Sequence, residues 1–453
     1  MADPELPMPD GLVLRAFRGV RFAVDDLAEV TSPPYDLIGE TGIRDLLDTH
    51  PNNVVRLILP GSDGHRYAEA RETLRAWLSS GVLVADGTPA VYVYEQSGPG
   101  ILQRGLIGDV GLVSPGRGTI LPHEDVMPGP VADRLALMRT TEANLEPIFL
   151  LYEGRGGAAT RLVDEVADSR PPLAEARTHD GIRHRLWAVT DPAELAALNA
   201  DLRPRQALIA DGHHRYATYL ALQAEHHATA RHAGTPGTTG GDSDRTRPGS
   251  GPVGGNSAAA SAPGTGPWDF GLALLVDSDS YPPDLKAIHR VIPNLPLHEA
   301  VGRAKHSWQI HEHAGLTEGL TALREAPEPA FLLTDGDIAY LITDPVPDQV
   351  ERAMPTDRSA RWCALNTSVL AEFLLPEVWG MRDDEHSVRI VHHDSWAAAR
   401  LARDTGGTAV LMNPLAVDDV LAVAAQGERV PRKSTSFGPK PRTGLLMRLL
   451  TLE

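Results

Sequence analysis

The chain has 453 residues, enough for two or three domains at about 100 to 200 residues each. Its composition, 42% hydrophobic and 23% charged, is that of a soluble globular protein. Acidic residues outnumber basic ones by 60 to 42, and the formal net charge is −18. This surplus argues against nucleic acid as the main partner, because binding phosphates non-specifically needs a basic face.

A single cysteine, Cys363, excludes an internal disulfide and a multi-cysteine zinc site. No run approaches the roughly 18 apolar residues of a membrane span. Residues 1–10 are acidic and Pro-rich, and they lack the basic start and apolar run of a signal peptide. We therefore expect a cytoplasmic protein that has no membrane partner.

Strand-like and helix-like runs alternate along the chain. Apolar or alternating runs predict strands at 91–94, 105–110, 147–152, 184–189, 207–210, 271–276, 330–334, 338–342, 388–392 and 408–412. Amphipathic periodicity predicts helices at 67–79, 133–139, 192–200, 215–225, 297–308, 367–375, 395–404 and 417–425. This mixture indicates an α/β (mixed α+β) fold, and strand order does not follow from it.

One segment differs from the rest in composition. Residues 227–267 contain almost no large apolar side chain, so burial cannot offset the entropy lost on ordering, and we predict a disordered low-complexity insertion. It separates an N-terminal region, 11–226, from a C-terminal α/β region, 268–453. A surface loop within one domain fits the same composition.

The strongest functional signal follows the predicted strand 207–210, in the run Asp211-Gly212-His213-His214-Arg215. Gly212 permits a tight turn, and the next three residues fall at the start of a helix, where free N–H groups favour an anion. Arginine adds a bidentate phosphate contact, and Asp211 is a candidate Mg²⁺ ligand or proton acceptor. Three such basic residues at a helix start are unfavourable without an anion. An Asp N-cap with surface histidines is the structural alternative.

Weaker signals lie elsewhere. His123-Glu124, followed by Arg134, is a possible general base with a neighbour, or a solvated loop. The Pro/Gly-bounded loop with Lys433, Ser434, Thr435 and Lys440 collects basic and hydroxyl groups that could contact an anion, or is a basic surface turn. Asp63-Gly64-His65-Arg66 repeats part of the first motif, and we interpret it as a coincidental helix start. His392-His393 is a weak metal candidate, because neighbours on a strand face opposite sides.

In order and spacing these pieces resemble the domain-of-unknown-function family 1015. The resemblance is carried by five runs: Ser32-Pro33-Pro34-Tyr35-Asp36, His123-Glu124 with Arg134, Asn144 with Pro147-Ile148-Phe149, Ala210 to Arg215, and Pro431 to Lys440. It spans nearly the whole chain, apart from the low-complexity insertion.

A more distant resemblance covers about 104–225. Here the His-Glu and Asp-Gly-His-His-Arg elements resemble the ParB/sulfiredoxin-like superfamily and, within it, the free L-serine kinases. It implies a ParB-like core that binds ATP or ADP with Mg²⁺. Carried over by motif, Glu124 is the base, Asp211 a catalytic or metal-contacting carboxylate, and Gly212, His213, His214 and Arg215 bind phosphate. Arg134 and His123 are further candidates for nucleotide and substrate contact.

The leading hypothesis is a nucleotide-dependent phosphotransferase acting on a small hydroxyl metabolite, with free L-serine as the specific candidate. A ParB-like nucleotide-binding regulator without turnover is a second hypothesis, although no basic recognition helix is visible. A phosphoester hydrolase using Asp211 and the histidines is a third. We predict that Glu124 and Asp211 approach each other in space, because carboxylates more than about 15 Å apart could not act on one substrate.

Overall fold

The computed structural model describes residues 10–233, 265–384 and 386–452. Within them the α-helices are α1 (Leu27–Val30), α2 (Glu40–Thr49), α3 (Val55–Ile58), α4 (Arg66–Ser79), α5 (Pro128–Thr141), α6 (Ala158–Ser169), α7 (Pro192–Leu202), α8 (His213–Ala233), α9 (Leu297–Ala304), α10 (Leu316–Glu325), α11 (Pro347–Ala353), α12 (Ala360–Ala364), α13 (Asn366–Val369), α14 (Ser395–Asp404) and α15 (Val417–Ala425).

The strands are β1 (Leu14–Arg15), β2 (Gly19–Phe22), β3 (Leu83–Ala85), β4 (Val91–Gly98), β5 (Ile101–Gly111), β6 (Ile120–Leu121), β7 (Ala143–Asn144), β8 (Ile148–Tyr152), β9 (Ala174–Arg177), β10 (Arg183–Val189), β11 (Ala207–Asp211), β12 (Phe270–Asp277), β13 (Asp284–Lys286), β14 (Ile288–Ile292), β15 (Gln309–His313), β16 (Phe331–Thr334), β17 (Ala339–Thr343), β18 (Arg389–His392), β19 (Thr408–Leu411), β20 (Ser436–Gly438) and β21 (Met447–Leu449).

The largest sheet has the strand order β6-β11-β8-β12-β5-β4-β10-β9, with β1 paired to the end of β5. Strands β8 and β12 are parallel, whereas β8 and β11 are antiparallel. Both faces of this sheet are buried. In β4, Val91 and Val93 pack into one hydrophobic cluster, and Tyr92 and Tyr94 pack into another. A continuous apolar run is what a strand covered on both faces requires.

A second sheet, of six strands, has the order β15-β17-β16-β19-β14-β18 and is antiparallel throughout. Its two faces also belong to different clusters: Phe331 and Leu333 pack on one side, and Leu332 packs on the other. The mixed α/β class expected from the sequence is therefore confirmed. Within the described residues, no helix combines the length and the apolar character needed to span a bilayer.

The chain does not divide between sheets at residue 268. Strand β12 lies inside the large sheet, between β5 and β8, although the sequence analysis assigned it to region 268–453. After β19 the chain also returns to the N-terminal half, where β21 pairs with β2 and β7. Pairing across several hundred residues is invisible to local sequence patterns, and this return carries the loop 431–440 toward α8.

The predicted bounds of the disordered insertion, 227–267, are too wide at both ends. Helix α8 continues to Ala233, and His227 is buried with its Nε2 2.6 Å from Asp269 Oδ1. A short 3-10 helix, Pro267–Asp269, precedes β12. A buried polar pair lets these ends pack despite their polar composition. Residues 234–264 of the predicted insertion lie outside the described residues.

Candidate functional site

The site is built around the turn between β11 and α8. Gly212 has φ +96°, a conformation that side-chain-bearing residues rarely adopt, and a Cβ there would lie 3.0 Å from Ile148 Cγ2. The Tyr216 N–H donates to the Gly212 carbonyl at 2.9 Å, which starts the helix. The N–H groups of the first turn have no earlier carbonyl within the helix, so they are available to an anion.

Two cations neutralise Asp211 at the end of β11. Its Oδ2 accepts from Arg215 one turn later, and its Oδ1 pairs with the ammonium group of Lys440. Lys440 also donates to Asp36 Oδ2 at 3.0 Å. Burial disfavours the lysine charge, but the two carboxylates outweigh it and raise the pKa of Lys440. Lys440 thus joins Asp211 to Asp36, which lies 404 residues before Lys440 in the sequence.

The histidines of the motif do not add positive charge, which corrects the expectation of three cationic groups. Burial lowers the pKa of His213 well below its usual value, and burial together with the charge of Lys433 lowers that of His214. Both rings are therefore neutral near pH 7. His214 Nε2 accepts from the Met127 N–H at 3.0 Å, which leaves the proton on Nδ1. Of the three basic residues His213, His214 and Arg215, only Arg215 carries a positive charge, and its ion pair with Asp211 balances that charge.

His123 does not line the cavity of this site but contacts residues that do. It is fully buried, and burial lowers its pKa to about 3. Its Nε2 lies 2.7 Å from Thr435 Oγ1, and its backbone N–H donates to His213 Nε2 at 3.3 Å. These bonds join the His-Glu segment, the helix start and the loop 431–440.

Glu124 is held differently from Asp211. Its Oε1 accepts the backbone N–H of Lys433 at 2.8 Å, and its side chain is half-buried. Burial and the nearby charge of Asp211 raise the pKa of Glu124, although Lys433 opposes the shift. A carboxylate with a raised pKa is suited to accept a proton near neutral pH.

These groups surround one cavity of about 220 Å³, which we call the Asp211 cavity. Several segments supply its lining: Tyr35, Asp36, Glu124, Met127, Pro130, Ala210, Asp211, Gly212, His213, His214, Arg215, His392, Lys433, Thr435, Ser436, Phe437 and Lys440. The chain has only four lysines, and two of them, Lys433 and Lys440, line this cavity. Within the described residues, no carboxylate forms an ion pair with Lys433, so its charge is available to a ligand.

Besides His123, two more of the residues singled out from the sequence do not line the Asp211 cavity. The Arg134 guanidinium donates to the Ile58 carbonyl at 2.6 Å and lies 4.6 Å from the ring centroid of Tyr35. It therefore packs against a residue that lines the cavity but does not line the cavity itself. Ser434 is buried and donates to the Pro431 carbonyl at 2.6 Å, within its own loop. Neither residue lines the Asp211 cavity.

The partial copy of the motif also lies elsewhere. It leads into α4, as the sequence indicated, and its Arg66 pairs with Asp133 at 2.7 Å. None of its residues lines the Asp211 cavity.

Sequence reasoning missed three of the titratable residues that line the cavity: Tyr35, Asp36 and His392. Tyr35 and Asp36 belong to the Ser-Pro-Pro-Tyr-Asp run, which served only to identify the family. His392 was considered only as a metal ligand. Partial desolvation and the charge of Lys433 lower the pKa of His392 to about 4. The sequence offered one signal for Tyr35 and Asp36, since they are a tyrosine and an aspartate that directly follow two prolines.

A metal ion fits this cavity only in part. Within the described residues, no group of three or more His, Cys, Asp or Glu is placed to bind one. Both oxygens of Asp211 already contact cations, which argues against the expected role as a metal ligand. Glu124 Oε2 and Asp36 Oδ1 remain without a hydrogen bond among the described residues. Mg²⁺ commonly needs only one or two carboxylates when phosphates and water complete its coordination.

The model of the family described as "Protein of unknown function (DUF1015)" matches residues 14–368, and the chain belongs to this family. No curated protein matches the chain significantly.

Three solved structures are similar at low identity. "Free serine kinase in complex with AMP" is 13% identical, with 77% of this chain and 93% of that chain covered and a TM-score of 0.33. "SbnI with C-terminal truncation from Staphylococcus aureus" is 11% identical, with 77% and 89% covered and a TM-score of 0.36. A conserved hypothetical protein from Pyrococcus furiosus is 11% identical, with 77% and 97% covered and a TM-score of 0.32. At these values the likeness carries no functional argument.

Proposed function

We propose that the Asp211 cavity is the active site of a nucleotide-dependent phosphotransferase that acts on a small hydroxyl metabolite. ATP or ADP is the proposed donor, and free L-serine is the specific candidate acceptor. The observation that carries the proposal is the meeting of three features in one cavity: the start of α8, the carboxylate of Glu124, and the ammonium group of Lys433, which has no ion-pair partner in the part of the chain that the structure describes. Phosphoryl transfer needs little beyond positioning and charge neutralisation, and these groups can supply both.

The phosphates would lie at the start of α8. Backbone N–H groups and the helix dipole favour negative charge there, and Gly212 leaves room for close approach. Lys433 adds a cation, and neutral His214 adds an Nδ1–H donor. Arg215 and Lys440 hold Asp211 and Asp36 in place, and that pairing keeps two carboxylates from repelling the phosphates.

Glu124 is the proposed general base. It would accept the proton of the acceptor hydroxyl as that oxygen attacks the terminal phosphorus of the nucleotide. Its raised pKa places its proton affinity closer to neutral pH than that of an exposed carboxylate. Asp211 has a positioning role in this proposal, because its two oxygens are engaged by cations.

Mg²⁺ would be held mainly by the nucleotide phosphates, with Asp36 as the protein ligand. The ion supplies neutralisation of charge on the transferred phosphoryl group. This differs from the sequence-based assignment, in which Asp211 was the ligand. The ParB-like character of the core, 104–225, remains part of the proposal.

The test is direct. Purified protein is incubated with ATP or ADP, Mg²⁺ and L-serine, and O-phosphoserine is measured by mass spectrometry. Glu124→Gln is expected to lower turnover at least about 100-fold, the usual contribution of a general base. Glu69→Gln, on the exposed face of α4, is the matched control and should leave turnover unchanged. Absence of phosphoryl transfer across a panel of nucleotides and small alcohols would refute the proposal.

The two other functions from the sequence analysis predict different outcomes. A regulator would bind nucleotide with the same dependence on Lys433 but transfer no phosphate, which calorimetry combined with the turnover assay would reveal. A hydrolase would release phosphate from phosphoserine without nucleotide. The engagement of Asp211 by two cations argues against the hydrolase, because it removes that carboxylate as a nucleophile or metal ligand.

A further inference from the structure

A second cavity, of about 390 Å³, adjoins the Asp211 cavity. Three arginines line it, Arg358, Arg429 and Arg432, and we call it the arginine cavity. The two cavities share Met127. No pattern in the sequence indicated this second cavity, because its walls come from distant segments. They are α12, the π-helical segment Leu370–Val378, and the loops before α5, β18 and β20.

Glu124 lies at the boundary between the two cavities. Consecutive residues of two segments face different sides: Glu124 and Lys433 line the Asp211 cavity, whereas Asp125 and Arg432 line the arginine cavity. The bond from the Lys433 N–H to Glu124 Oε1 joins these segments at 2.8 Å. A small molecule in the arginine cavity therefore lies next to the two segments that carry Glu124 and Lys433.

The arginine cavity contains a cation that lacks a carboxylate partner. The Arg429 guanidinium, which is half-buried, donates to the carbonyls of Gly427 at 3.3 Å and Glu428 at 3.1 Å. Within the described residues, no carboxylate forms an ion pair with it. Burial lowers the pKa of Arg429, with only the charge of Asp125 opposing the shift, so an anion from outside would stabilise the guanidinium.

The remaining charges of the cavity are of both signs. Asp383 already has cationic partners: Arg290 Nε lies 3.0 Å from its Oδ2 and Arg432 Nη2 lies 3.7 Å from its Oδ1, although Oδ1 accepts no hydrogen bond among the described residues. Asp125 and Glu372 form no ion pair among the described residues. The cavity thus offers a guanidinium for a negative group and carboxylates for a positive group.

We propose that the arginine cavity is the acceptor subsite and that Arg429 binds the carboxylate of a small hydroxy acid there. This rests on the proposed phosphotransferase function. The hydroxyl of the bound acid points toward Glu124, which takes its proton. The hydroxyl oxygen then forms a bond to the terminal phosphorus of the nucleotide, and the bond from that phosphorus to the bridging oxygen breaks, so the shortened nucleotide leaves with the electron pair. Asp125 and Glu372 accommodate an ammonium group, so a zwitterionic hydroxy amino acid fits the whole cavity.

The test uses probes that differ by one carboxylate: L-serine against ethanolamine, and glycerate against glycerol. Binding of each is measured by calorimetry on the full-length protein, and turnover is measured with ATP and Mg²⁺. We expect each carboxylated probe to bind about 10- to 100-fold more tightly than its partner, the range for a charge-assisted hydrogen-bonded contact. Arg429→Gln is expected to abolish this preference, and Arg429→Lys to restore part of it.

Arg361→Gln is the control, since Arg361 lies on the same helix as Trp362 but lines neither cavity. It should keep the full preference. The inference is overturned if no carboxylated probe binds more tightly than its partner, or if Arg429→Gln keeps the wild-type preference. Because binding is measured without nucleotide, a carboxylate preference with no phosphoryl transfer would support this subsite and refute only the proposed reaction.

Discussion

Lys440 offers a test of whether the site is held together as described. Replacing it in Lys440→Met keeps most of the side-chain volume but removes the ammonium group that joins Asp36 and Asp211. The side chains of Lys440 and Asp211 are 13% and 10% exposed, so we treat theirs as a buried ion pair. Asp36 is 35% exposed, and its share is screened by solvent.

These exposures set the expected magnitude. Removing one partner of a buried ion pair lowers the free energy of unfolding by about 3 to 5 kcal/mol, because the other charge stays buried and uncompensated. Arg215 still neutralises Asp211 in the variant, so we expect a loss at the lower end, about 3 kcal/mol at pH 7. The part due to Asp36 should be about 1 kcal/mol or less.

Urea denaturation followed by tryptophan fluorescence measures the free energy of unfolding, and from it both the total loss and the part due to Asp36. A double-mutant cycle with Asp36→Asn isolates the Asp36–Lys440 coupling, and Lys305→Met is the control lysine. Lys440 and other cations lower the pKa of Asp36, although desolvation opposes them, so this coupling is present near neutral pH and is lost as pH falls through that lowered pKa. A loss below about 1 kcal/mol for Lys440→Met, within the range of surface pairs, would refute the buried bridge.

Three further predictions follow from single residues. Because burial raises the pKa of Glu124, kcat/KM should rise with pH through that pKa, above the usual value of 4.5, and a pH–rate profile of Glu124→Gln that keeps this rise would contradict its role. Gly212→Ala should destabilise the protein by more than the roughly 1 to 2 kcal/mol of positive-φ strain, because its Cβ meets Ile148 and Arg215, whereas Gly61→Ala, with φ +98° and open space, should show the strain alone in thermal unfolding. Arg134→Met should lower stability by about 2 kcal/mol through the lost bond to the Ile58 carbonyl, while a calorimetric Kd for ATP stays within twofold; a large rise in Kd would restore Arg134 as a ligand.

Local patterns were sufficient for most of the ordered elements near the site. The apolar runs 147–152 and 207–210 are strands β8 and β11, and the turn at Gly212 begins α8 as the Asp-Gly step indicated. Some elements, such as α2 and β15, were not predicted, although α2 is amphipathic. At 367–375 a single helix was expected, but α13 passes into a π-helical segment, Leu370–Val378, which contains Pro376. Proline removes a backbone donor and changes the hydrogen-bond pattern there.

The composition of the cavity was partly visible in the motifs, since Glu124, Asp211 and the loop with Lys433 were all chosen from sequence. Their charge states were not visible. The histidines looked cationic at a helix start, yet burial makes them neutral, and Arg215 looked free to bind phosphate, yet Asp211 engages it. A pKa depends on burial and on neighbouring charges, and neither is set by residues adjacent in sequence.

The sequence by itself determined the α/β class, the family, and the Asp-Gly turn that opens α8, because strand, turn and helix formation depend on residues a few positions apart. Tertiary structure alone decided that Asp36, Glu124 and Lys440 line one cavity, and that Arg429 lines a second cavity that adjoins it. These contacts join segments that are 309 and 404 residues apart, through the bonds of Glu124 to Lys433 and of Asp36 to Lys440. Such contacts form only when the whole chain buries its apolar surface, which is why no local pattern contains them.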